Sequence, residues 1–300
     1  MEHDLRELIG RKVVLMDGAM GSMIIDAGMR EGAIPESWML ENPEKQIDIH
    51  GAYIDAGAEV IQTNTFGASR LKLESSDVGR EIDPVEFNRK AVELARKALH
   101  DKGAHGCYLA GDVGPCGHFF PPVGQLTSEQ AAANFTEQIG ALVDAGVDLI
   151  LIETMYDIRE AVEAVKAARK ATDKPVIAEM TFEKRPKGYF TMMGDTVEKA
   201  ARTLAEAGAD VVGANCTLTS DDMLGLVSEF RSNTGLPLIF QPNAGQPVIE
   251  RGTARYRQKP EDFARDIELI VRAGAGAVGG CCGTSPAFIR AVHDRLTHMA

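Results

Sequence analysis

Four ten-residue segments of this chain align with one another without gaps: AGAEVIQTNT (residues 56–65), AGVDLILIET (145–154), AGADVVGANC (207–216) and AGAGAVGGCC (273–282). Each has the same physical reading. The Ala-Gly pair closes a helix, with glycine free to take the left-handed conformation that ends it. The apolar run that follows suits a strand buried on both faces. The segment then ends in polar or sulfur-bearing residues. Four further apolar runs lie between these: VVLMDG (13–18), CYLAGDVG (107–114), PVIAEMTF (175–182) and PLIFQPNAG (237–245). Helix starts separate the runs. Asp83-Pro84 combines a cap with proline at the first helical position. Thr127 to Gln130, Asp157 to Glu160 and Asp195 to Glu198 have capping-box spacing, and Ser285-Pro286 opens the last helix. Eight strands alternating with helices predict α/β architecture, a single parallel (β/α)8 TIM barrel over residues 1–300. An open doubly wound sheet is the alternative, but recurrence on the even strands fits closure better. The stretches 28–43 and 114–124 are irregular and long enough for active-site loops.

Composition limits the function. A 44% hydrophobic and 25% charged chain is an ordinary globular one, not a disordered one. Its net charge of −12 argues against nucleic acid or an anionic membrane surface as partner. No apolar run reaches membrane-span length. Charges fill the first ten residues where a secretory leader is apolar, so a cytoplasmic location is expected. The cysteines number five, two of them adjacent, which is not a disulfide framework.

Barrel active sites form at the C-terminal strand ends. That places Asp17, Asn64, Asp112, Glu153, Asn215, Cys216, Asn243, Cys281 and Cys282 on one face, with Cys107 at the other as a small buried hydrophobe. Adjacent cysteines on a regular strand point to opposite sides. The glycines around Cys281-Cys282 let the backbone leave the extended form, so three thiolates can converge. Such a set suits zinc, with a fourth position open for catalysis. A closed site with Cys116 as fourth ligand, a Cys281–Cys282 disulfide and a lone reactive thiol are the competing readings.

LMDGAMGSMI (15–24), IQTNTFGAS (61–69), GDVGPCG (111–117), IET (152–154), GANC (213–216), QPNAG (241–245) and GGCCGTSP (279–286) occur in this order. Together they resemble the homocysteine-binding zinc domain of the homocysteine S-methyltransferases, and within that family the N-terminal module of the cobalamin-dependent methionine synthases. The likeness covers nearly the whole chain, and GGCCGT with an upstream NC is its most specific part. It implies one Zn2+ per chain on the catalytic ligands Cys216, Cys281 and Cys282, with homocysteine sulfur as the fourth bond. It also implies an amino-acid pocket. There Glu153 takes the substrate ammonium, or else makes a rim salt bridge. Asp17 shares the ammonium or fixes its loop, and the Gly18 and Ala19 backbone meets the carboxylate. Thr63, Asn64 and Asn215 orient the rest. The implied donor is methylcobalamin on a partner corrinoid protein or a missing domain. A small donor such as betaine or S-methylmethionine is the alternative, and a non-catalytic module with a structural zinc is another. Trp38 is either one wall of an aromatic cage for such a donor or an apolar lid or core anchor, and Phe119 and Phe120 either close over the pocket or face a docking partner.

Overall fold

A computed structural model describes residues 4–29, 34–250 and 253–299 of the chain. Its main sheet has eight parallel strands: β1 (Val14–Leu15), β2 (Val60–Gln62), β3 (Tyr108–Val113), β4 (Leu149–Met155), β5 (Val176–Met180), β6 (Val211–Thr219), β7 (Leu238–Asn243) and β8 (Ala277–Val278). Neighbours in sequence are neighbours in the sheet, and β8 pairs with β1. A parallel bridge from Met16 to Val60, with Asp17 N–H donating to Val60 O at 3.0 Å, joins β1 to β2. The predicted barrel is therefore present and closes.

The repeat has the structural cause assigned to it. Gly57, Gly146, Gly208 and Gly274 all have φ between +95° and +116° at the helix ends preceding β2, β4, β6 and β8. Alternation then sorts each strand. Leu149 and Leu151 of β4 join an inner cluster with Val14, Met16, Ala110, Ile177, Val211 and Ile239. Ile150 and Ile152 face outward into the layer under the helices. A short helix, Leu5–Ile9, plugs the N-terminal end of the barrel with Leu5 and Ile9. The lower lumen is thus filled mainly by aliphatic side chains, and the polar strand ends lie towards the opposite mouth.

The capping readings fare unevenly. Thr127 and Gln130 form a reciprocal capping box, and Asp83 accepts from Val85 and Glu86 N–H. Asp157 caps through Arg159 N–H, while Glu160 turns inward. The cap of the helix Val197–Ala207 is Thr196, not Asp195, because Thr196 Oγ1 accepts from Lys199 N–H. Ser285 makes no side-chain cap. The stretch 28–43 is less irregular than its sequence suggests, since Pro35–Glu41 is helical; residues 30–33 lie outside the described ones. Two hairpins were not expected: Glu183–Arg185 with Gly188–Phe190 after β5, and Val248–Glu250 with Thr253–Arg255 after β7. Among the described residues no helix is long and apolar enough to cross a membrane.

Candidate functional site

A cavity of about 240 Å³ opens at the C-terminal mouth. Asp17, Gly18, Ala19, Gln62, Thr63, Asn64, Asp112, Glu153, Cys216, Cys281 and Cys282 line it, together with Met20, Ser22, Phe66 and Thr154. Of the residues that the family resemblance gives a zinc or homocysteine contact, all but Asn215 lie here; Asn215 sits directly behind Glu153 and Thr154.

The sulfurs converge because two strands are bent on purpose. The pairing register shifts after Ile152 on β4 and after Asn215 on β6. Thr154, Cys216 and Thr217 take φ of 58°, 58° and 61°, the left-handed region that β-branched and other L residues rarely adopt. Asn215 holds these bends together. Its Oδ1 accepts from Thr154 N–H at 2.7 Å, and its Nδ2 donates to Thr154 Oγ1 at 2.7 Å and to Glu153 Oε2. On the other side, β8 ends at Val278, before the cysteines. Cys281 N–H donates to Pro242 O at 2.8 Å, and Cys282 O accepts from Ala244 N–H at 3.0 Å, so β7 anchors the pair. Thr284 Oγ1 donates to Cys281 O and accepts from Ala19 N–H. A methyl group on Gly280 would strike the Thr284 side chain at 2.5 Å, and one on Gly279 would strike Met16 and Gln241 at 2.7 Å. These glycines are needed for close packing, which the sequence argument had assigned to backbone freedom alone.

Cys216 Sγ is 3.8 Å from Cys282 Sγ, and Cys281 Sγ is 3.9 Å from Cys282 Sγ. All three lie within 4.8 Å of one another. Tetrahedral zinc with Zn–S bonds of about 2.3 Å separates its sulfurs by roughly 3.8 Å, so the donor set fits that ion. All five cysteines are free thiols, which removes the disulfide reading. Cys116 is fully buried in the core, with its N–H donating to Glu160 Oε1 at 2.7 Å, and does not join the cluster. The competing four-cysteine site is not formed, and the three expected cysteines stand together. Cys107 is buried beside β3, as expected. Hydrogen bonds from Cys216 and Cys281 hold the Cys282 thiol well below the ordinary range, while contact with Cys216 pushes Cys281 up.

Beneath the sulfurs the lumen is acidic. Asp17 accepts from Gln62 N–H at 2.9 Å and Gln62 Nε2 at 2.8 Å; Gln62 Nε2 also reaches Gln241 Oε1 at 3.2 Å, and Gln241 Nε2 donates to Glu179 Oε2 at 2.8 Å. Burial raises the Asp17 carboxyl to about 8 and the Glu153 carboxyl to about 7. Among the described lining residues none is Lys, Arg or His. A buried acid with a raised pKa stabilises the fold only while it is protonated. For Asp17 that contribution is complete below about pH 4 and is lost as pH rises towards 8. The metal-free protein, kept reduced, should therefore show a Tm that falls by several degrees between about pH 5 and pH 8. Circular dichroism melts across that window check it, and a rising Tm would contradict it.

Partners within the protein engage several of these residues. Asp17 lines the cavity and accepts from Gln62 at both oxygens, which holds the β1 end in place. Ala19 N–H donates to Thr284 Oγ1 at 3.0 Å. The Thr63 hydroxyl accepts from Asp112 N–H at 3.0 Å, and Asn64 Nδ2 donates to Gln46 Oε1 at 3.0 Å; both build the wall. Asn243 is buried and outside the cavity lining. Trp38 is 6% exposed within the core and does not line the cavity, so it is an anchor and not a cage wall. Phe120 is likewise buried, and Phe119 packs on Tyr156 at 5.3 Å; neither lines the cavity. Sequence reasoning missed Gln62, Thr154, Met20, Ser22 and Phe66. Phe66 follows the strand end at Asn64, and Met20 and Ser22 begin the helix Met20–Asp26, so proximity to strand ends was their available signal.

These features define a (β/α)8 barrel with three thiols, grouped so that they could hold a metal ion, set over an acidic cavity. The chain belongs to the homocysteine S-methyltransferase family, whose model matches residues 14–296. It is 30% identical over 311 residues to a methionine synthase of Mycobacterium tuberculosis, covering 99% of this chain and 26% of that protein. The methionine synthase of Mycobacterium leprae is 29% identical over 96% of this chain and 25% of its own length. The chain thus spans about a quarter of these curated relatives. Among solved structures, the metallated form of the homocysteine methyltransferase MmuM from Escherichia coli superposes with a TM-score of 0.79. It is 26% identical, over 97% of this chain and 99% of that one.

Proposed function

We propose that this chain methylates homocysteine to methionine, with one zinc ion held by Cys216, Cys281 and Cys282. The observation that carries the reading is the convergence of three thiols, at zinc-like spacing, over a cavity of amino-acid size with acidic walls. When bound there, zinc supplies the charge that keeps a coordinated thiol deprotonated near neutral pH. The chain's own residues do the rest. Glu153 faces the cavity with Asn215 and Thr154 fixing its carboxylate, and it takes the substrate ammonium. Gly18, whose Cβ space is filled by Thr284 and Tyr53, lets the chain pass close beside the ligand. Met20, Gly21 and Ser22 complete that wall. Phe66 and Met20 supply the apolar side chains of the cavity wall. In the transfer a sulfur–carbon bond forms, the bond from methyl to donor breaks, and its electron pair stays with the donor.

The donor we favour is methylcobalamin on a corrinoid protein or domain. The similarity to methionine synthases supports it. A betaine donor is disfavoured, because Phe66 is the single aromatic side chain among the described lining residues, too few for a quaternary ammonium cage. The five free thiols suit a reducing, cytoplasmic setting.

Zinc X-ray absorption of the metal-loaded protein tests the reading. Adding homocysteine should raise the sulfur coordination from three to about four. Methionine formation assayed separately with methylcobalamin, betaine and S-methylmethionine then ranks the donors, with methylcobalamin expected first. An unchanged sulfur shell would instead favour a structural zinc, and turnover with S-methylmethionine alone would reassign the donor.

A further inference from the structure

The cavity contains one acidic group too many for a single ammonium. Asp112, at the end of β3, is 4% exposed and lines the cavity beside Glu153. Its backbone is clamped: its N–H donates to Thr63 Oγ1 at 3.0 Å, and its carbonyl accepts from Thr65 Oγ1 at 2.7 Å. Its side chain is not. Asp112 Oδ1 is buried without a hydrogen-bond donor. Asp112 stands opposite Leu151 of β4, two residues before Glu153 on the neighbouring strand, and the acidic groups that bear on it are Glu153, Asp17 of β1 and Glu179 of β5. Two ionised carboxylates so placed cannot satisfy each other, and no cationic side chain among the described lining residues separates them. One proton shared between them resolves both the repulsion and the orphaned oxygen.

We propose that Asp112 is a positioning residue of the substrate cavity: as a neutral acid it donates its proton in a hydrogen bond to Glu153, leaving Glu153 as the anion that meets the substrate ammonium. Burial supports this assignment of the proton, since it raises Asp112 well above the carboxylate range and Glu153 less, to about 7. The arrangement makes the cavity selective for thiols that bear a free α-amine, because a neutral or acylated amine leaves the Glu153 charge unpaired. The inference rests on homocysteine being the ligand, which the wild-type protein tests first.

The experiment is calorimetric titration of the zinc-loaded protein with homocysteine and with 4-mercaptobutyrate, the same thiol without its amine. Failure of wild-type protein to bind homocysteine would overturn the functional reading itself. Given binding, Asp112→Asn, which still donates a proton to Glu153, should keep homocysteine affinity within about threefold. Asp112→Ala should lose roughly tenfold to a hundredfold, the worth of a hydrogen bond to a charged group. Affinity for 4-mercaptobutyrate should be the same in all three proteins, which a merely structural role would not allow. If Asp112→Ala does not fold, Asp112→Leu replaces it, keeping bulk without a donor. Equal loss in the Asn and Ala (or Leu) variants, equal retention in both, or a parallel loss for 4-mercaptobutyrate would each overturn the proposal.

Discussion

Replacing Cys216 with alanine should lower bound zinc from about one ion per chain to near zero and reduce methionine formation at least ~1000-fold. The reason is positional. Cys216 Sγ stands 3.8 Å from Cys282 Sγ, and its strand is bent by the register shift after Asn215 to put it there. Two remaining thiolates from adjacent residues leave half of a tetrahedral shell unfilled. The side chain is partly exposed, so its loss opens no core cavity and the fold should survive. Cys116→Ala is the matched control. Cys116 is buried away from the cluster, so its replacement should leave zinc stoichiometry unchanged. Elemental analysis of the purified proteins, with circular dichroism to confirm folding, checks both. Full zinc retention in Cys216→Ala would remove the proposed ligand set.

The fold was readable because its signal is periodic and local. An Ala-Gly helix end followed by an apolar run needs nothing distant to make sense, and the four glycines at positive φ show that the signal was physical. The cysteine set was readable because strand ends share a face in a closed barrel. What the sequence withheld is the non-local part. No propensity marks Thr154 and Cys216 as left-handed, since β-branched and thiol residues disfavour that conformation; Asn215, paired with both Thr154 and Glu153, imposes it. Gly213 is similar. It looked like one more strand residue, yet an added Cβ would lie 1.8 Å from Ile239 O, so close approach of β6 and β7 demands glycine. The partners of Ala19 and Asp17 were hidden for the opposite reason. Those partners, Thr284 and Gln62, lie 265 and 45 residues away.

Glu153 is where these threads meet, and its neutral isostere should isolate its charge. In Glu153→Gln, homocysteine affinity is expected to fall about 30-fold or more, equivalent to ~2 kcal/mol for a charge-assisted hydrogen bond in a partly enclosed site. Zinc content should stay near one per chain, because Glu153 touches the metal ligands only through Asn215, whose Nδ2 lies 3.8 Å from Cys281 Sγ. Asn215 loses little, since a glutamine oxygen still accepts from its Nδ2 and the Thr154 contacts at 2.7 Å remain. The amine-free thiol supplies the contrast. Its affinity should be unchanged or improved in Glu153→Gln, because the wild-type carboxylate is left unpaired when no ammonium arrives. Calorimetry with the two thiols measures both. A fall of equal size for both would mean that Glu153 shapes the cavity rather than reading the ammonium. An unchanged homocysteine affinity would move the ammonium to another wall, and Asp112, whose Oδ1 has no donor, is the group positioned to receive it.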